Sequence, residues 1–175
     1  SDLKLIKSKL KIPLNLEIAA TKEMLKISLK NKPPFICIVP EKRKEVTTEG
    51  GLNLNYKKIF LKNIIDKLKK NKSRISLFID PKLSDIRKAK LLNVHCIEIH
   101  TGKICNLINK NKDYKKEFNK IRKAVNLGNE LGLEVLENPP AEGSDFMPAA
   151  EDPQEQPDPE GEIAIESEVG RTTDP

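Results

Sequence analysis

Five short apolar runs, at residues 13–19, 35–39, 75–79, 96–100 and 133–136, alternate along this 175-residue chain with longer polar or amphipathic segments. None of the intervals is the tight asparagine- or glycine-containing turn that closes a hairpin. Strands separated by long crossovers run parallel, so the order βαβαβαβαβ predicts an α/β sheet or barrel. The crossovers carry the expected helices. Residues 21–30 start at Thr21, a plausible N-cap, with Met24, Leu25, Ile27 and Leu29 as the apolar side. Residues 56–70 set Ile59, Phe60, Ile64, Ile65 and Leu68 at helical spacing against a lysine-rich face. Residues 84–92 are expected to be capped by Ser84. Residues 113–131 carry Tyr114, Phe118, Ile121 and Val125 before Gly132 ends the helix. Strand-to-strand spacings of 20-odd to about 40 residues suit the (βα) repeats of a TIM barrel. A doubly wound sheet is the alternative, but no glycine-rich turn follows a strand to hold a dinucleotide.

Side chains alternate along a strand, so each run has two faces. Leu14, Leu16 and Ile18 share one face of the first run, while Asn15 and Glu17 share the other. In the fourth run Ile97 and Ile99 oppose Cys96, Glu98 and His100. With the apolar faces against helices, both glutamates point into a barrel lumen. A carboxylate short of water there must be paired or carry a shifted pKa, which makes Glu17 and Glu98 candidate acid/base groups. Structural pairing with an interior Lys or Arg is the competing explanation.

The loop after the second run, Val39-Pro40-Glu41-Lys42-Arg43-Lys44-Glu45-Val46-Thr47-Thr48-Glu49-Gly50-Gly51, concentrates charge, hydroxyls and glycines beyond a strand's C-terminal end. That is where α/β folds place variable, chemistry-bearing loops.

Charge divides the chain in two. Residues 137–175 hold 12 acidic residues and one basic one, leaving 31 basic and 14 acidic residues upstream. Net positive charge of that size suggests polyanion binding. Nucleic acid is disfavoured, because the excess is mostly Lys spread over every helix, with no zinc-finger spacing and no aromatic RNA-binding motif. The last segment also holds seven of the 12 prolines and few large apolar side chains, so residues 137–175 are expected to form a disordered acidic tail beyond a folded portion of 1–136. Cys37, Cys96 and Cys105 form no CxxC pair. With His100 they match no common zinc module, so no metal site is expected. The lack of a signal peptide or an apolar run near membrane-spanning length points to a cytoplasmic protein with no membrane partner.

Three segments resemble pyridoxine 5′-phosphate synthase. They are Leu14-Asn15-Leu16-Glu17-Ile18-Ala19-Ala20-Thr21-Lys22-Glu23-Met24-Leu25, the 39–51 loop with its Val-Pro-Glu-Lys-Arg … Glu-Val-Thr-Thr-Glu-Gly-Gly wording, and Ile97-Glu98-Ile99-His100-Thr101-Gly102. Ser76-Leu77-Phe78-Ile79-Asp80-Pro81 and Glu130-Leu131-Gly132-Leu133 fit in order, and the resemblance covers roughly residues 3–135. It implies a TIM barrel, assembled as a homo-octamer, that condenses 1-deoxy-D-xylulose 5-phosphate with 3-amino-2-oxopropyl phosphate in vitamin B6 biosynthesis. Phosphate and water are released, and no metal or organic cofactor is implied. By motif, Glu17 would be a general acid/base, Glu98 would stabilise charged intermediates, and Thr47 would bind the deoxyxylulose phosphate. Lys42 and Arg43 would help to neutralise phosphate.

The family's Asn-x-Asp-His and His-x-Arg strands and its later Gly-His-Gly turn have no counterpart here. Five βα units form a partial barrel with two open edges, so the chain made alone is expected to fold poorly and to be inactive. An inactive relic whose acidic tail serves as a protein-interaction segment is the alternative.

Overall fold

The computed structural model describes residues 2–41, 50–55 and 58–137. Its elements run α1 (Asp2–Lys9), β1 (Asn15–Ala19), α2 (Lys22–Asn31), β2 (Phe35–Val39), α3 (Lys58–Lys70), β3 (Arg74–Ile79), α4 (Leu83–Leu91), β4 (Cys96–Ile99), α5 (Gly102–Asn109), α6 (Lys115–Glu130) and β5 (Glu134–Glu137). The five strands form one parallel sheet in the order β1-β2-β3-β4-β5. Each strand is added on the same side of its predecessor. A doubly wound sheet reverses its strand order at a switch point, and no reversal occurs here. The winding is that of a partial TIM barrel, as the strand pattern predicts. Among the described residues β1 and β5 are edges and do not pair with each other.

The core lies on one face of the sheet. Ile18, Ile36, Ile38, Ile75, Leu77, Ile79, Ile97 and Ile99 are buried there with Leu61, Ile64, Ile65 and Leu68 of α3, Ile86 and Ala89 of α4, and Ile121, Ala124 and Leu127 of α6. Isoleucine suits both demands on these strands. Its branched Cβ favours extended backbone, and its burial removes most of its apolar surface from water. The paired strand residues set the opposite face into rows: Glu17 beside Cys37, Cys37 beside Ser76, Ser76 beside Cys96, and Phe78 beside Glu98.

Several helix ends follow their expected chemistry. Thr21 caps α2, its side-chain oxygen accepting from the Met24 N–H at 3.1 Å. Gly132, at φ +68°, closes α6: its N–H donates to Asn129 and the Leu133 N–H donates to Gly128. That pair of bonds is a Schellman closure, and the left-handed backbone suits a residue without a Cβ.

Other details differ from the sequence pattern. Ser84 does not cap α4. The cap is Lys82 and makes no side-chain cap bond, because Pro81 and the Asp80 turn start the helix two residues earlier than a Ser84 cap requires. Ile59 lies 81% exposed at the solvent side of the first turn of α3, although its spacing matched the apolar stripe. Tyr114 is exposed as the N-cap of α6. The short helices α1 and α5 were not anticipated, and α5 precedes α6 in the long interval between β4 and β5.

Candidate active site

The inner face of the sheet puts two of the singled-out residues in different surroundings. Glu98, on β4, is 6% exposed, and its Oε1 accepts a hydrogen bond from Ser76 Oγ at 2.6 Å. Ser76 itself is 7% exposed. Register explains the contact: Ser76 pairs with Cys96, so on the neighbouring strand Glu98 stands one inward-facing position further on. Glu17, by contrast, is exposed on β1. Both glutamates share the inner face, but the expectation that each is short of water holds only for Glu98. The reason is topological, since Glu17 is on the edge strand and Glu98 has a strand on either side.

Cys37 lies between them and is fully buried. Burial raises its thiol pKa strongly, with the neighbouring Glu98 and Glu17 charges adding to the effect against a hydrogen bond from Ser76 that lowers it. Cys96 is pushed up to about 12, chiefly by burial. Both thiols therefore stay protonated and serve as small core groups rather than nucleophiles. No cluster of metal-ligating side chains exists among the described residues.

At the C-terminal ends of β3 and β4 a second group of residues meets the far end of the 39–51 loop. The Gly51 N–H donates to Asp80 Oδ1 at 2.7 Å, and the Leu52 N–H donates to the Phe78 carbonyl at 2.7 Å. A Cβ at Gly51 would overlap the backbone of Ile79 and Asp80, so only glycine approaches this closely. The same Asp80 carboxylate accepts from Lys82 Nζ at 2.8 Å and lies 3.3 Å from His100 Nδ1. Burial opposes its charge, but the bonds from Lys82, Gly51 and His100 together hold the carboxyl below its ordinary range. The His100 ring rests against Phe78 with centroids 5.1 Å apart. Gly50, Asp80, Pro81, Lys82 and His100 line a cleft of about 320 Å³ together with Lys103, Glu117 and Lys120. Lys103 and Lys120 both pair with the Glu117 carboxylate at 3.0 Å.

Thr47, Lys42 and Arg43 lie outside the described residues, as does the 138–175 segment. Sequence reasoning singled out Glu98 and did not find its donor Ser76. It also missed Asp80 as the anchor of the glycine end of the loop. Period-two reading puts Ser76, Phe78 and Asp80 on one face of the third run. Which of them meets Glu98 depends on inter-strand register, and no local pattern carries that.

A one-way parallel sheet with a buried, hydrogen-bonded carboxylate on its inner face and a glycine-anchored loop at its C-terminal rim defines a barrel-type α/β protein, a class that carries its chemistry at the strand ends. The comparisons with known proteins make this specific. The family model described as pyridoxal phosphate biosynthesis protein PdxJ matches residues 1–137, and the chain belongs to that family. It is 59% identical over 133 residues to the pyridoxine 5′-phosphate synthase of Pelagibacter ubique, an alignment covering 76% of this chain and 55% of that protein. Against the synthases of Syntrophotalea carbinolica and a Hydrogenobaculum species, identity is 46% over 134 residues and 43% over 137. Those alignments cover 77% of this chain and 56% and 57% of the relatives. The chain therefore spans a little over half the length of the curated relatives it matches.

Proposed function

We propose that this chain carries the β-strand portion of a pyridoxine 5′-phosphate synthase site, acting on 1-deoxy-D-xylulose 5-phosphate and 3-amino-2-oxopropyl phosphate. The observation that supports it best is Glu98, a carboxylate buried at the active end of a parallel sheet and held by one hydroxyl donor. Ring closure by amine addition, dehydration and aldol-type condensation moves a proton at each step, so the site needs acid/base groups of differing environment.

The two glutamates meet that need differently. Glu17 is exposed on the inner face, where a general acid/base must exchange protons with substrate and solvent. Glu98 is shielded, and its fixed negative charge would stabilise cationic iminium-like intermediates without reorganisation. Thr47 would hold the deoxyxylulose phosphate, and the anchored Gly50–Leu52 end fixes where that loop rejoins the fold. This chemistry calls for no metal and no organic cofactor.

Residues 1–136 are read as the synthase portion and 137–175 as a separate acidic segment. A homo-octamer in the cytoplasm fits the family reading. Among the described residues no helix is long and apolar enough to cross a membrane.

The test is a chimera in which residues 1–137 of this chain replace the matching segment of the Pelagibacter ubique protein. Formation of pyridoxine 5′-phosphate from the two phosphates is expected. A folded chimera without turnover would overturn the reading.

A further inference from the structure

Asp80 makes more contacts than a turn residue needs. Asp80-Pro81-Lys82 already forms its own turn, with the Lys82 N–H donating to the Asp80 carbonyl at 2.7 Å. The side chain is therefore not required to close it. Instead the carboxylate takes three donors from three different parts of the chain: the Gly51 N–H, Lys82 Nζ and the His100 ring. One of these is the end of the loop after β2, one is the start of α4, and one is the residue after β4. Beside it, the Leu52 N–H reaches the Phe78 carbonyl, and Leu54 is buried. The loop end is thus fixed by one side-chain bond and one backbone bond on the same strand end, with a steric fit that excludes any Cβ at Gly51.

We propose that Asp80 is a positioning residue of this site, holding the Gly50–Leu52 loop end and the His100 ring in fixed relation across the C-terminal ends of β3 and β4. The relevance to catalysis rests on the proposed synthase reading; the anchoring itself does not. An ionised carboxylate is suited to this, because hydrogen bonds to a charged acceptor are about twice as strong as neutral ones. It also has enough lone pairs for three donors at once. Lys82 is the outermost of the three, with its side chain 64% exposed, and contributes least to holding the loop.

The test is amide hydrogen exchange on this chain, resolved by residue with NMR and requiring no substrate. Its failure is therefore distinguishable from an inactive chimera. In Asp80→Ala, the Gly51 amide is expected to exchange at least about 10-fold faster, with Leu52 following, because the charged acceptor is lost. Leu77 and Ile97, inside the sheet, are expected to keep their rates. Asp80→Asn retains an acceptor oxygen and is expected to restore most of the Gly51 protection. Lys82→Met is expected to leave it unchanged. Three results would overturn the proposal: Gly51 unmoved in Asp80→Ala, equal acceleration of Gly51, Leu77 and Ile97, or a Gly51 amide already unprotected in the unsubstituted chain.

Discussion

Replacing Ser76 by Ala should cost more than any other loss of a single hydroxyl in the described part of this chain. The Ser76 Oγ–H donates to Glu98 at 2.6 Å, and both residues are nearly inaccessible to water. A hydrogen bond to an ionised group contributes about 1.5–3 kcal/mol, and removing the donor leaves the carboxylate underpaired where solvent cannot replace it. The volume change is small, so cavity formation adds little, and about 1.5–3 kcal/mol is the expected loss of stability. Asp66 is a useful control. Its pair with Lys62 is exposed on α3, and Asp66→Asn should cost no more than about 0.5 kcal/mol. The measurement is urea unfolding of the chimera, with stability taken from the midpoint at constant slope. A double substitution sharpens it. Ser76→Ala combined with Glu98→Leu removes donor and acceptor together and should be less destabilised than Ser76→Ala alone. If Ser76→Ala lies within about 0.5 kcal/mol of the parent, Glu98 is not a buried carboxylate dependent on this donor, and the reasoning fails.

Gly51→Ala should dislodge the loop end, losing both the Gly51–Asp80 and Leu52–Phe78 bonds, for a cost of about 2–4 kcal/mol in the same unfolding assay. His95 is held below its ordinary pKa of 6.5 by burial and by the Lys69 and Arg74 charges, and its Nδ1 accepts from the Ile75 N–H. The unfolded chain therefore binds the proton more readily, so stability should fall as pH drops below 6.5, and His95→Gln should flatten that slope in unfolding curves taken across pH. With the outer edges of β1 and β5 open among the described residues, this chain alone should show weaker cooperativity and more self-association than the chimera, read by near-UV circular dichroism and light scattering.

The parallel sheet was readable because apolar runs and crossovers leave few other topologies, and the isoleucine faces of β3 and β4 declare which side is buried. Thr21 and Gly132 were readable because a cap depends on one residue and its immediate neighbours. Ser84 was not, since a preceding turn can shift a helix start by two residues and leave a good capping side chain inside the first turn. The different solvation of Glu17 and Glu98 was hidden for another reason. Both have the same local pattern, and the difference comes from edge against interior position in the sheet. Ser76 and Asp80 gained their roles only through contacts spanning 22 and 29 residues. Such pairings follow from register and loop closure, which sequence spacing does not encode.

The chimera's rate of pyridoxine 5′-phosphate formation, compared with those of its Glu17→Gln and Glu98→Gln variants, tests most directly whether the inner face of this sheet performs the synthase chemistry. Loss of an acid/base group or of a preorganised charge is expected to reduce turnover by about 100-fold or more in each, with the fold retained. Glutamine variants that turn over at the parent rate would contradict it.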